Sequence, residues 1–167
     1  MPESKRTRKS SQGPTAGRPL MPGYGIKEDS DGLLPWKWAI DLLSKARNYF
    51  FSTVRPDGRP HVMPIWGVWM DDGFYFSTGK TSVKARNLMK NPECVVCPEG
   101  GEEAVILEGR ASKVKDSAVL QKFARLYKKK YDFDPLSMNE PIYQVRPRVV
   151  FGQVEKTFPK TATRWTF

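Results

Sequence analysis

Apolar residues recur along the chain in two rhythms, and each switch between them marks an element. From Leu33 to Ala46, the residues Trp36, Ile40, Leu43 and Ala46 fall at helical spacing, with Pro35 where a first helical turn tolerates proline. This predicts an amphipathic helix lying on a core. Tyr49 to Val54 (YFFSTV) then reads as a buried strand. Arg55-Pro56-Asp57-Gly58 is a turn in which Pro presets φ and Gly accepts a positive φ, so a hairpin is predicted with a second strand from His61 to Met70. Pro64 sits inside that strand without an N–H to give to a ladder. Its position argues for an edge, a bulge, or a place where something other than a strand meets the backbone. Asp71-Asp72-Gly73 is a short hairpin turn, and Phe74 to Thr78 is the returning strand.

Gly79 to Ser82 opens a helix that runs to about Lys90 and stops at Asn91-Pro92, with Thr81 or Ser82 able to cap it. Glu93 to Cys97 and Ala104 to Lys115 read as strands, the second with Gly109 marking a bulge or bend. Asp116 to Tyr131 carries Val119, Leu120, Phe123, Leu126 and Tyr127 on one helical face. The trailing Lys128, Lys129 and Lys130 suit the negative end of a helix dipole and read as solvated. After a loop from Tyr131 to Pro141, Tyr143 to Val154 supplies the last strand, and TFPKTATRWTF shows no regular pattern. Six strands in hairpin order with three interposed helices predict a mainly β fold, a small antiparallel barrel with peripheral helices.

The chain of 167 residues is long enough for one core. Charged residues interrupt its apolar runs before any could span a bilayer. Residues 1 to 22 are basic, rich in Ser, Gly and Pro, and aperiodic. They are expected to form a disordered tail, or one draped over another surface, ahead of a single domain over 23 to 167. Because the first residues lack the apolar block of a secretory signal, the cytoplasm is the expected location. The net charge of +10 predicts an anionic partner, and both a nucleic acid and a phosphorylated cofactor meet that description.

The single histidine, His61, excludes a multi-histidine metal site, and no Ser-His-acid or Cys-His set can be assembled. Cys94 and Cys97, three apart in a strand, point to opposite faces and read as structural; no metal is expected. Neither a G-x-G-x-x-G nor a G-x-x-x-x-G-K-[ST] pattern occurs. What remains is a flat apolar surface from Met63, Trp66 and Trp69. Next to it in the chain stand the hydroxyls of Ser77, Thr78 and Ser82 and the cations Lys80, Lys84 and Arg86. Lys84 and Arg86 lie near a helix N-terminus whose free N–H groups already favour an anion. A planar ring carrying a phosphate on a short polar stem suits such a pair of surfaces.

Four segments, STVRPDGRPHVMPIWGVW, FYFSTGKTSVKARNLMKNPECVV, VILEGRASKV and TATRWTF, occur in that order. Together they resemble the pyridoxamine 5′-phosphate oxidase-like family of FMN- or deazaflavin-binding split β-barrels, from about Trp36 to the last residue. The resemblance implies a six-stranded split barrel that forms a homodimer with two cofactors in grooves between the subunits. It places His61, Met63, Pro64, Ile65 and Trp66 beside the cofactor ring, largely through backbone groups. It places Thr78, Ser82, Lys84 and Arg86 at the phosphate, with Ser77 among the cofactor-binding residues, and has Arg164 and Trp165 reach the cofactor or substrate pocket, of the same chain or of the partner chain. The resemblance does not extend to the longer substrate-binding region of true pyridoxamine phosphate oxidases. The resemblance is therefore to the shorter subgroup that uses FMN, or alternatively the deazaflavin coenzyme F420, as an oxidoreductase moving a hydride to or from a small conjugated substrate. It names no catalytic side chain. Two competing readings are a cofactor carrier or sensor without turnover and a basic nucleic-acid-binding barrel.

Overall fold

The computed structural model describes residues 13–167. Nine strands and three helices follow one another as β1 (Thr15–Gly17), α1 (Trp36–Lys45), β2 (Tyr49–Val54), β3 (Pro60–Ile65), β4 (Val68–Met70), β5 (Gly73–Ser77), α2 (Val83–Lys90), β6 (Glu93–Pro98), β7 (Glu103–Lys113), α3 (Ser117–Tyr131), β8 (Ile142–Val154) and β9 (Thr163–Thr166). All pairings are antiparallel, in the order β1-β9-β8-β7-β6-β2-β3. The long β8 has β7 on one edge, while β5 and β9 share the other edge in succession. The β4–β5 hairpin joins the sheet only through β5. Among the described residues nothing pairs with β3 on the side away from β2, and the barrel stays open there. The fold is thus mainly β and antiparallel, as the strand pattern predicts, and it is the split barrel that the resemblance implies.

Three boundaries differ from the sequence reading. The strand expected from His61 to Met70 is two strands, β3 and β4, broken at Trp66-Gly67. A Cβ on Gly67 would stand 2.2 Å from the Phe74 ring, so the chain can pass this point only without a side chain. The closing segment contains β9, whose Trp165 and Thr163 point inward while Arg164 and Thr166 are exposed. Thr15–Gly17, within the expected tail, pairs with Arg164 to Thr166 and extends the sheet by one strand. The part of that tail over 1–12 lies outside the described residues.

The core fills from alternate positions of the strands. Tyr49 and Phe51 of β2 meet Phe74 and Phe76 of β5, with the ring centroids of both pairs 4.6 Å apart. Val96, Val105, Leu107, Val145 and Val150 complete the layer, and Ala39 and Leu43 of α1 close one end. On the other side of the β4–β5 hairpin, Phe123, Tyr127 and Tyr131 of α3 cover Val68, Met70, Tyr75 and Ile142. Helix α2 is tied to β2 by a buried hydrogen bond from Asn87 Nδ2 to Thr53 Oγ1 at 2.9 Å. Among the described residues no helix is long and apolar enough to cross a membrane.

The bulge expected at Gly109 is present as a register shift between Glu108 and Gly109 in the β7–β8 ladder. A Cβ there would lie 2.3 Å from the Arg146 carbonyl oxygen, and a backbone atom cannot swing aside as a flexible side chain can. Gly109→Ala is therefore expected to lower stability by about 1–3 kcal/mol, measured by urea denaturation. An unchanged midpoint would show that the two strands separate freely at the bulge.

Candidate functional site

The open seam of the barrel forms a cleft of ≈ 390 Å³ lined by Asn48, Pro64, Ile65, Trp66, Ser77, Thr78, Lys84 and Tyr127. Among the described residues β3 is an edge strand with β2 as its one neighbour, and its last two residues, Pro64 and Ile65, line this cleft. Ser77 and Thr78 enter it because β5 runs past the end of the short β4, which pairs only as far as Tyr75. The Pro141 carbonyl fixes this end of β5, accepting from Thr78 N–H at 3.3 Å and from Ser77 Oγ at 3.4 Å.

Ser82 caps α2, its Oγ accepting from Ala85 N–H at 3.2 Å, and the same Oγ lies 3.2 Å from Thr78 Oγ1. The cap thus holds the first turn of the helix against the hydroxyl wall, and Lys84 projects from that turn into the cleft. Burial alone pushes the Lys84 ammonium below the usual lysine range, and no carboxylate forms a salt bridge with it among the described residues. A half-buried cation beside two hydroxyls and a helix N-terminus is an arrangement that an anion would satisfy.

His61 and Met63 lie on the face of β3 that carries Ile65, opposite Thr53 and Phe51 of β2. Met63 is 44% exposed. His61 Nδ1 sits 3.3 Å from an Arg55 guanidinium nitrogen. Desolvation, then the charges of Arg55 and Lys84, hold the His61 ring below its ordinary pKa, so its neutral form is favoured.

The structure therefore brings Pro64, Ile65, Trp66, Ser77, Thr78 and Lys84 to one cleft. Ser82 stands behind it, and His61 and Met63 continue it along β3. Two residues expected there are elsewhere. Arg86 is on the face of α2 that lines a separate basic groove with Arg55, Arg59 and Lys90, because two positions beyond Lys84 on a helix turn away from it. Trp165 is 0% exposed, seated over Gly152 and against Trp36 and Trp38 in the core, with an indole N–H that finds no partner among the described residues. Nor do the three apolar side chains expected as one flat surface share a face: Trp69 packs on Trp36.

Asn48 and Tyr127 are cleft residues that the sequence reading missed. Asn48 is held by Glu99, which accepts from its N–H at 3.1 Å and from its Nδ2 at 2.9 Å, a contact across 51 positions that no local pattern signals. Tyr127 belongs to the apolar stripe of α3 and was legible only as core. Cys94 and Cys97 point to opposite faces as expected; burial pushes the Cys94 thiol up to about 12, leaving it inert. Among the described residues no group of three His, Cys, Asp or Glu could hold a metal ion.

Residues 39–154 match the protein family described as pyridoxamine 5′-phosphate oxidase. Among solved structures, the chain is similar to a conserved hypothetical protein, Rv2991, from Mycobacterium tuberculosis, with 20% identity, 78% of this chain and 91% of that one covered, and a TM-score of 0.66. It is also similar to an F420 reductase, with 24% identity, 66% and 93% coverage, and a TM-score of 0.55. The heme storage protein HutZ from Vibrio cholerae shares 17% identity over 67% of this chain and 89% of that one, with a TM-score of 0.58. At these identities the likeness establishes the fold. No curated protein matches in a sequence comparison.

Because His61 is the only histidine, its ring resonances report the charge of the cleft. The wild-type midpoint in an NMR pH titration is expected below 6.5, and Lys84→Met is expected to move it upward by removing one of the two neighbouring cations. An unmoved midpoint would show that the Lys84 ammonium does not face the cleft.

Proposed function

The chain belongs to the pyridoxamine 5′-phosphate oxidase family, and on that premise we propose that it is a flavin- or deazaflavin-dependent oxidoreductase acting on a small conjugated substrate. The observation that carries this reading is Lys84, half-buried in the cleft without a carboxylate and flanked by Ser77, Thr78 and the capped start of α2. That donor set fits a phosphate. A flavin-type ring, when bound, would supply the hydride chemistry.

The chain's own residues have three tasks. Lys84, Thr78 and Ser77 hold the phosphate by charge-assisted and hydroxyl hydrogen bonds. Pro64, Ile65 and the backbone of β3 orient the ring along the open edge, while Trp66 and Tyr127 keep water from it. His61, held neutral, can accept or donate a proton at the far end of the same face of β3.

FMN is the cofactor we favour, since the cradle asks only for a phosphate, and the similarity to an F420 reductase makes the deazaflavin the alternative. The functional unit we propose is a homodimer. Phe50, Val54 and Val62 leave an apolar patch on the outer face of β2 and β3, with Phe50 and Val62 51% and 55% exposed, and Pro64 at its end reaches the cleft. A second copy covering this patch would bring its own surface to the cleft mouth.

Absorption spectra of the purified chain with each cofactor decide between FMN and F420, and failure to bind either would sink the enzyme reading. Lys84→Ala is expected to weaken FMN binding by about 1.5–3 kcal/mol, at least tenfold, while leaving the affinity for riboflavin, which lacks the phosphate, unchanged. Equal losses for both ligands would place Lys84 away from the phosphate.

A further inference from the structure

The last two residues of α3 grip the Trp66-Gly67 link that separates β3 from β4 and walls the cleft. Lys130 donates from Nζ to the Gly67 carbonyl at 3.0 Å and to the Tyr49 hydroxyl at 2.7 Å, and that hydroxyl donates onward to the Leu43 carbonyl at the end of α1 at 2.6 Å. Its ammonium also lies over the rings of Tyr49 and Tyr131, 4.9 and 5.3 Å from their centroids. The Tyr131 hydroxyl accepts from Gly67 N–H at 3.0 Å and shares its own proton between the carbonyls of Arg47 and Gly67 at 2.8 and 2.9 Å. The Tyr131 ring stacks on the Trp66 indole, 4.7 Å between centroids and 7° between planes. The other polar end of that indole donates from Nε1 to Asn48 Oδ1 at 3.2 Å.

A lysine at a helix C-terminus ordinarily extends into water, where the dipole favours it. Lys130 turns inward instead, and its hydrogen-bond acceptors are both neutral. An aliphatic side chain of the same length would fill the space without desolvating a charge, so what the ammonium adds is direction: it fixes the Gly67 carbonyl and the faces of two tyrosines. Both Gly67 backbone groups are thereby tied to α3, and the Trp66 side chain one residue earlier is pinned between Tyr131 and Asn48.

We propose that Lys130 is a positioning residue for the cleft, setting the Trp66 wall through Gly67 and Tyr131 and so tuning ligand affinity. The proposal rests on the cleft being the ligand site argued above, but the state of the wall can be read without any ligand. Four groups with charge or a titratable proton face the ammonium: Arg47 from the α1–β2 connection, Tyr49 from β2, Tyr131 from α3 and Glu99 from the β6–β7 connection. Burial and then Arg47 push the Lys130 ammonium down to about 8, with Glu99 opposing. Tyr49 and Tyr131 are both pushed upward and stay protonated in this range. Between neutral and mildly alkaline pH the grip therefore loses its charge. The amine then holds Gly67 by a weaker hydrogen bond, and its attraction to the ring faces is lost.

The test follows the Trp66 indole N–H signal by NMR in the chain without ligand, assigned through its loss in Trp66→Phe, together with FMN affinity by fluorescence quenching. In the wild type the signal is expected to move with a midpoint near pH 8. In Lys130→Met it should be displaced from the wild-type low-pH position and no longer move with pH, and in Lys130→Arg it should keep the low-pH position to about pH 10 because guanidinium does not deprotonate there. FMN affinity at pH 7 should fall about tenfold in Lys130→Met and be restored within about twofold in Lys130→Arg. A Trp66 signal that ignores pH in the wild type and is unchanged in Lys130→Met would overturn the proposal. So would full FMN affinity in Lys130→Met. Loss of FMN binding in the wild type, with the indole signal behaving as expected, would count against the cofactor reading and leave the wall assignment supported.

Discussion

Gly67 passes under Phe74 at a distance that leaves no room for a side chain, and much of the molecule follows from that contact. Only glycine fits at this point, and it is here that the segment from Pro60 to Met70 breaks into β3 and β4. Once broken, β4 turns back through Asp71 and Asp72, both at positive φ, and its partner β5 joins β8 rather than β3. The edge of β3 is left free. Edge strands invite pairing with other chains, but Pro64 removes one donor from this edge and the α2 and α3 side chains flank it. The seam becomes a cleft with apolar walls and a polar end.

What distinguishes this cleft from the other concavities is the mismatch between its charge and its surroundings. The basic groove around Arg86 balances Arg59 with Asp57, at 2.9 Å, and is open to water. In the cleft, Lys84 is partly desolvated, while Arg55, which lines the other groove, contacts His61 further along β3. Desolvated positive charge beside hydroxyls costs free energy in the empty protein and repays it only when an anion enters. The split barrel, the cap of α2 and the end of β5 converge on that one condition.

Much of this was legible in the chain. The alternation from Tyr49 onward, the turn chemistry at Asp57-Gly58 and Asp71-Gly73, and the Ser82 cap are local signals, and each corresponds to an element where it was expected. Adjacent positions on β3 and on the β5–α2 corner could be grouped for the same reason. Arg86 was misplaced because a sequence window treats Lys84 and Arg86 as neighbours, whereas a helix sends them to different faces. Trp165 was misplaced because nothing in TFPKTATRWTF shows that it forms a strand; only pairing with Val149 to Gly152 of β8 turns the indole inward. Lys130 was read as solvated, since a lysine run at a helix end usually is. Of the two aromatic faces that draw it in, Tyr131 is its neighbour but Tyr49 lies 81 positions away.

The central claim, that the seam between β3 and the start of α2 holds a phosphate-bearing ring cofactor, is tested most directly by a crystal structure of the chain grown with FMN. The phosphate is expected within hydrogen-bonding distance of Lys84 Nζ and Thr78 Oγ1, with the ring along the free edge of β3. Density for FMN in the Arg86 groove, or a cleft that stays empty at saturating FMN, would contradict it.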